Sequence, residues 1–160
     1  MGHGMSSPRE WIKFKHARFT ARFPSDFRYS PSHYWMAPVE DEPGVWRVGF
    51  TKFATRMLGE LVDFNFKVQP GDPVSSGMEI GWVEGFKASS DVFCVMEGAF
   101  DGSNPALAAD ACIVRSDPYL DGWLYAVRGE PEAGHLDVHG YIAMLESTIT
   151  RMADEEHAGE

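Results

Sequence analysis

From Tyr29 onward the chain alternates short strand-like runs with turn formers, a pattern that builds a small β-rich sandwich or barrel. Gly44 precedes the run Val45-Trp46-Arg47-Val48, and Leu61 to Phe66 alternates apolar with polar residues. Ile80-Gly81-Trp82-Val83 and Asp91-Val92-Phe93-Cys94-Val95 flank the segment 84–90, which places Lys87 near the tip of a hairpin. Gln69-Pro70-Gly71-Asp72 and Glu97-Gly98 carry turn chemistry, and Trp123 to Val127 reads as another strand. Two stretches depart from this period. Thr51 is positioned to cap a short helix with Phe53, Ala54, Met57 and Leu58 on one face, and Gly59 is its natural stop. Val138, Tyr141, Ile142, Leu145, Ile149 and Met152 recur at helical spacing after Asp137, an expected N-cap. That stripe reads as a core-packing face. The acidic tail 154–160 is expected to fray.

A chain of 160 residues suits one domain with a sizeable core. Hydrophobic residues at 44% and charged residues at 24% match an ordinary soluble protein, and no apolar run is long enough to span a membrane. The start lacks the apolar core of a secretory signal. It is basic and poor in acids, as organelle transit peptides are, but a basic extension on a bacterial cytoplasmic protein is the simpler expectation. The charge is uneven. Residues 1–28 hold six Lys/Arg against two Asp/Glu, and the remainder holds eight against 22. Residues 1–28 therefore read as a basic, aromatic extension whose Trp11, Phe14, Phe19, Phe23 and Phe27 can pack on the body. The acidic body repels phosphates, which argues against nucleic acid and for basic protein surfaces. Generic solubility, or a salty habitat, explains the same charge equally well.

Two cysteines are too few for a disulfide scaffold or a CxxC-type zinc site. Cys94 lies in an apolar run and reads as a buried, inert thiol. His33 is expected to pack or hydrogen-bond near the domain start. His135 and His139 are four apart near a helix start, but a metal site needs a third ligand that the sequence does not offer. Ser89 and Ser90 lack a partnered base at any suggestive spacing. No acid, base or metal set of an enzyme is visible.

Lys87 is the residue to explain. By itself a lysine in a hairpin is a solvated surface residue. Its surroundings say more: Gly85, Ala88 and Ser89 are small and leave the amine unobstructed. Glu84 and Asp91 bracket it three before and four after, offering contacts to a modifying enzyme. A tight turn would hold the side chain away from the body, as a swinging arm requires.

The segment Glu84-Gly85-Phe86-Lys87-Ala88-Ser89-Ser90-Asp91 resembles the lipoylation motif E-S-V-K-A-x-S-D of the glycine cleavage H-protein family. The resemblance continues elsewhere. Tyr29-Ser30-Pro31-Ser32-His33-Tyr34-Trp35 is similar to that family's Y-T-x-x-H-E-W. Gly49 to Ala54 and then Leu58-Gly59-Glu60-Leu61-Val62 are similar to G-I-T-x-x-A and L-G-D-I-V. Asn104-Pro105 and Asp117-Pro118-Tyr119 followed by Gly122-Trp123-Leu124 are similar to N-x and D-P-Y-x-x-G-W-L. The matches run in order over roughly residues 29–152.

This resemblance implies a mainly β, lipoyl/biotinyl-type fold: a flattened barrel-sandwich of two small sheets with short helices and a C-terminal helix. The implied organisation is an extension over 1–28, a lipoyl-carrier domain over 29–153 and an acidic tail over 154–160. It implies lipoic acid in amide linkage to Lys87, with Glu84 and Asp91 as recognition residues for a lipoate ligase or lipoyl transferase. The implied role is a carrier and not an enzyme. Biotin carriers share the fold, but their modified lysine usually lies between methionines, whereas Phe86 and Ala88 flank this one.

Departures from the family pattern bear on the client. Tyr34 replaces a glutamate, Phe86 is larger than usual, and Val95-Met96-Glu97-Gly98 stands where P-V-S-G is usual. If these changes sit where partners dock, they favour an H-like lipoate-binding protein serving a heterodisulfide-reductase-like complex in bacterial sulfur oxidation. The alternative is the orthodox role between glycine decarboxylase and aminomethyltransferase, with a flavin dihydrolipoamide dehydrogenase reclosing the disulfide. A further alternative is an unlipoylated interaction module.

Overall fold

The computed structural model describes residues 9–158. The first eight residues of the basic extension and the last two of the acidic tail lie outside the described residues. The chain opens with a hairpin, β1 (Trp11–His16) and β2 (Phe19–Pro24). It continues through β3 (Arg28–Tyr29), β4 (Tyr34–Pro38) and β5 (Val45–Phe50) to a short helix, α1 (Lys52–Leu58). Next come β6 (Leu61–Phe66), β7 (Pro73–Val74), β8 (Glu79–Gly85), β9 (Ser89–Phe93) and β10 (Met96–Ser103). Two single-turn helices, α2 (Ala106–Ala109) and α3 (Ile113–Ser116), lead to β11 (Tyr125–Pro131) and the final helix α4 (Val138–Ala158).

The strands form three sheets. The hairpin is a sheet of its own, a six-stranded sheet runs β3-β4-β5-β11-β10-β7, and a three-stranded sheet runs β6-β8-β9. Neighbouring strands in each sheet run antiparallel. The mainly β sandwich expected from the sequence is thus present, with the N-terminal hairpin as an added layer.

Side-chain alternation along β4 sets the layers. Tyr34 and Met36 point into a core shared with Val48, Ile80, Val83, Val92 and Val127, between the six- and three-stranded sheets. Trp35 points the other way, into a second core of Phe14, Phe23, Tyr29, Phe53, Tyr119, Tyr141 and Leu145. Both faces of this part of the sheet are therefore covered. The second core is mostly aromatic, with Phe23 edge-on to Tyr29, Tyr119 and Tyr141.

Several local details differ from the sequence expectation. Thr51 precedes α1, but its hydroxyl does not cap the helix; it bonds the Tyr141 hydroxyl at 2.8 Å. The Lys52 amide donates instead to the Tyr119 hydroxyl at 2.8 Å, so a distant aromatic does the capping. Glu97-Gly98 is not a turn. It lies inside β10, where Gly98 faces Gly129 of β11 and two bare backbones meet. α4 begins as expected, with the Gly140 amide donating to Asp137 Oδ1 at 2.8 Å. Its buried face is Val138, Tyr141, Leu145 and Ile149, while Met152 is exposed. The tail expected to fray continues α4 as far as Ala158. Among the described residues no helix is long and apolar enough to cross a membrane.

His33 sits with positive φ in the tight connection between β3 and β4. Its Nδ1 lies 2.8 Å from the Tyr141 hydroxyl, and burial pushes its pKa down to about 4, which keeps the ring neutral near pH 7. Cys94 is buried with its thiol on the Met96 carbonyl at 3.2 Å, and burial raises its pKa. Cys112 is exposed, and the neighbouring Glu60 carboxylate pushes its thiol up. His135 Nδ1 meets the Glu132 carbonyl at 2.7 Å, and no group of three metal-ligating side chains occurs among the described residues.

Because Phe23 is fully enclosed by aromatics from α4 and the main sheet, the hairpin should melt together with the rest. Phe23→Ala is expected to lower stability by about 3–5 kcal/mol in one cooperative transition. Chemical denaturation followed by far-UV circular dichroism and by tryptophan fluorescence measures this. A loss near zero, or two separate transitions, would show that the hairpin folds independently of the body.

Candidate functional site

The structure places Lys87 at the tip of the β8–β9 hairpin, in the three-residue link 86–88, with its side chain exposed. The flanking strands run closer to the lysine than the apolar runs alone suggested, to Gly85 on one side and Ser89 on the other. The link is short, so its shape depends on where its amides go. The Gly85 amide donates to the Ala88 carbonyl at 2.8 Å and closes the turn. The Phe86 amide reaches the Glu60 carbonyl at 3.0 Å. The Lys87 and Ala88 amides both donate to the Leu58 carbonyl, at 2.9 and 3.3 Å. The turn is thereby laid against the C-terminal end of α1.

Two glycines permit this approach. Gly59 follows α1 with φ +76°, where its amide closes the helix on the Thr55 carbonyl at 2.9 Å. A Cβ there would meet Lys87 Cγ at 3.0 Å and the Lys87 amide nitrogen at 3.1 Å. A Cβ on Gly85 would run into the Leu58 carbonyl oxygen itself. The sequence showed Gly59 as a helix stop and Gly85 as a small neighbour. Their joint role as the seat of the lysine appears only in three dimensions.

The amine itself is lightly held. Lys87 Nζ meets the Arg56 carbonyl at 3.5 Å, at the limit of a hydrogen bond. Among the described residues the ion pairs are Arg9–Asp26 and Lys67–Glu79, and neither involves it. Phe86, beside it, is 75% exposed. An amine so placed is open to acylation by an incoming activated carboxylate, and the small Gly85, Ala88 and Ser89 leave room for the bulk of a modifying enzyme. The geometry suits a long group in amide linkage, since nothing nearby would have to move.

Glu84 and Asp91 come together on one surface. In the register of β8 and β9, Glu84 faces Ser89 and Trp82 faces Asp91, so all four project outward from the three-stranded sheet. β6 adds Asp63 opposite Glu84 and Asn65 opposite Trp82. Sequence reasoning missed Asp63, which the alternation of Leu61 to Phe66 already turned outward. Trp82, 39% exposed, stands in the middle of this acidic face. Like charges opposite one another, as Asp63 and Glu84 are, disfavour the bare sheet, and a basic partner would relieve them.

The departures at Tyr34 and Met96 do not reach this surface. Tyr34 is 3% exposed, stacked on Phe50, with its hydroxyl accepting the Phe93 amide at 3.0 Å. Met96 is fully buried. Both are core positions joining the two sheets, so no partner meets them. Phe86 is the one of the three expected at a docking rim that the structure leaves exposed.

A model of the family described as "Glycine cleavage H-protein" matches residues 27–140. A glycine cleavage system H protein from Alteromonas mediterranea is 38% identical over 124 residues, 76% of this chain and 94% of that one. The corresponding protein of an Enterobacter species is 35% identical over 127 residues, 78% of this chain and 96% of its own. The crystal structure of a glycine cleavage system H protein from Mycobacterium marinum superposes with a TM-score of 0.67 at 33% identity, covering 76% of this chain and 97% of that chain. The N-terminal hairpin precedes the matched family region.

The seat of the lysine can be tested directly. Gly59→Ala should cost about 1–3 kcal/mol, since φ +76° with ψ −168° is backbone that only glycine adopts readily, and should also push the turn off α1. Hydrogen exchange should quicken by about tenfold at the Lys87 and Ala88 amides for each 1.4 kcal/mol lost locally. Unchanged protection at those two amides would mean that Leu58 does not anchor the turn.

Proposed function

The chain belongs to the glycine cleavage H-protein family, and from that premise we propose that it carries its lipoyl arm on Lys87 and serves the glycine cleavage system. As a member of that family it is a lipoyl carrier, a cofactor-bearing component and not itself an enzyme. The observation that supports Lys87 is its place: an exposed, almost unbonded amine at the tip of a turn held by the Leu58 carbonyl.

Bound lipoate supplies a cyclic disulfide that nucleophiles open and a flavin reductase recloses. What the chain contributes is presentation. Acylation of Lys87 removes its charge and leaves Glu84, Asp91 and Asp63 as an uncompensated acidic face beside the attachment point. That face suits the basic surface of a loading ligase or transferase and of successive client enzymes. Tethering turns each client encounter into one at high effective concentration. The clients under this reading are glycine decarboxylase, aminomethyltransferase and dihydrolipoamide dehydrogenase.

The sulfur-oxidation assignment loses the support it drew from Tyr34 and Met96, since both substitutions are buried and act on packing. The named relatives are glycine cleavage proteins, which favours the orthodox role. Exposed Phe86 alone does not identify a different client.

Lys87→Arg should fold with unchanged stability, accept no lipoate and support no turnover, because a guanidinium is not acylable at neutral pH. Intact-mass spectrometry after loading, and glycine decarboxylation with partner enzymes, give both readouts. A lipoylated species in that variant would move the attachment to another lysine. Glu84→Gln and Asp91→Asn should each slow loading by about tenfold, equivalent to about 1.4 kcal/mol, while stability moves by no more than about 0.5 kcal/mol. Normal loading with a clear fall in melting temperature would make both residues structural.

A further inference from the structure

The N-terminal hairpin does more than cover the second core. Its inward residues Phe14, Phe19, Ala21 and Phe23 are buried, and its outward residues Lys13, Lys15, Thr20 and Arg22 are exposed. The outward face forms one wall of a groove of about 780 Å³. Trp11 and Tyr119, edge to face at 5.7 Å, provide its aromatic surface. The loop at Ser116–Tyr119 closes the other side.

Four cations line this groove: Lys13, Lys15, Arg22 and Lys52. Lys13 and Arg22 are directly opposite in the β1–β2 register, a like-charge pairing that weakens a hairpin. The ion pairs among the described residues leave all four without a carboxylate partner. Asp117 is the single carboxylate lining the groove, and its Oδ2 accepts the Asp121 amide at 3.1 Å. Arg22 lies over the Trp11 ring at 5.1 Å, which holds a guanidinium at the aromatic surface.

We propose that this groove is a binding site for a small amphipathic organic anion, an aromatic or acyl body bearing a carboxylate, sulfonate or phosphate. The volume is that of an ordinary small-ligand pocket. The aromatic wall suits the apolar body and the cations suit the head. The size of the anion follows from screening. A small anion feels only charges within about 8 Å at physiological salt, and there the groove is basic. A polyanion or an anionic membrane would also meet the acidic body, whose net charge brings the chain to -10. The site is distinct from the lysine turn: Lys52 opens α1, while the Lys87 turn rests on the carbonyls at its other end.

The probe is 8-anilinonaphthalene-1-sulfonate, titrated by fluorescence against the full chain. One equivalent should bind, with energy transfer from tryptophan, and affinity should fall as salt rises. Uncharged N-phenyl-1-naphthylamine should bind at least tenfold more weakly. Lys13→Glu should weaken the sulfonate at least tenfold while raising the melting temperature, because it turns a repulsive cross-strand pair into an attractive one. Lys15→Glu should weaken binding with little change in melting temperature. Lys87→Arg should bind as the lipoylated protein does, which separates this site from the carrier role. Equal affinity for the uncharged dye, or indifference to both charge reversals, would overturn the proposal. Binding seen in Lys87→Arg alone would assign the groove to the arm and overturn it too. Co-sedimentation with phosphatidylglycerol vesicles without one-to-one dye binding would replace it with a membrane surface.

Discussion

The rest of the structure depends on Trp35. Its indole lies across β5, donates its N–H to the Pro118 carbonyl at 2.8 Å and packs tilted against Phe27 with ring centres 4.9 Å apart. One side chain thus joins the central sheet, the segment after the N-terminal hairpin and the 117–122 loop. That loop supplies Tyr119, whose hydroxyl receives the first amide of α1. The other end of α1 supplies the carbonyl that seats the Lys87 turn. The position of the exposed Lys87 is therefore set by a buried tryptophan through one short helix. A helix of seven residues has little stability of its own, so such tertiary anchors at both ends are what make it rigid.

How much of this could be read from the sequence follows the range of the interactions. The Lys87 turn and the start of α4 were legible because each rests on local chemistry: small residues in a tight link, and Asp137 as an N-cap. Gly98 was misread for the same reason, since glycine as a turn former is a local rule and its pairing with Gly129 is a long-range one. Tyr34 and Met96 were read as rim positions because exposure is not written in a motif; the strand register buries them. Thr51 looked like a cap, but Tyr141, ninety residues on, takes its hydroxyl. The aromatic content of 1–28 suggested packing. That β1 and β2 would form a sheet of their own was not visible, because its register is fixed from outside by Phe53, Tyr119 and α4.

Charge is organised by layer. The three-stranded sheet bearing Lys87 presents carboxylates from three strands, whereas the N-terminal hairpin presents cations from both of its strands. These two faces are held apart by the two cores. A protein whose total charge is merely acidic thus has two surfaces of opposite preference, and net charge alone describes neither.

The doubly accepted Leu58 carbonyl has a consequence for the entropy of recognition. Holding one backbone residue in a single conformation costs about 1–2 kcal/mol. In a loose loop that loss would recur at every docking event, once for each client in turn. Here the folding of α1 and its glycine has already fixed the turn, so with the arm on Lys87, as proposed, docking need order only the side chain beyond its Cα. A carrier that must be released as readily as it is bound gains from such a division: a stiff post that every client meets in the same place, and a loose tether that none has to share.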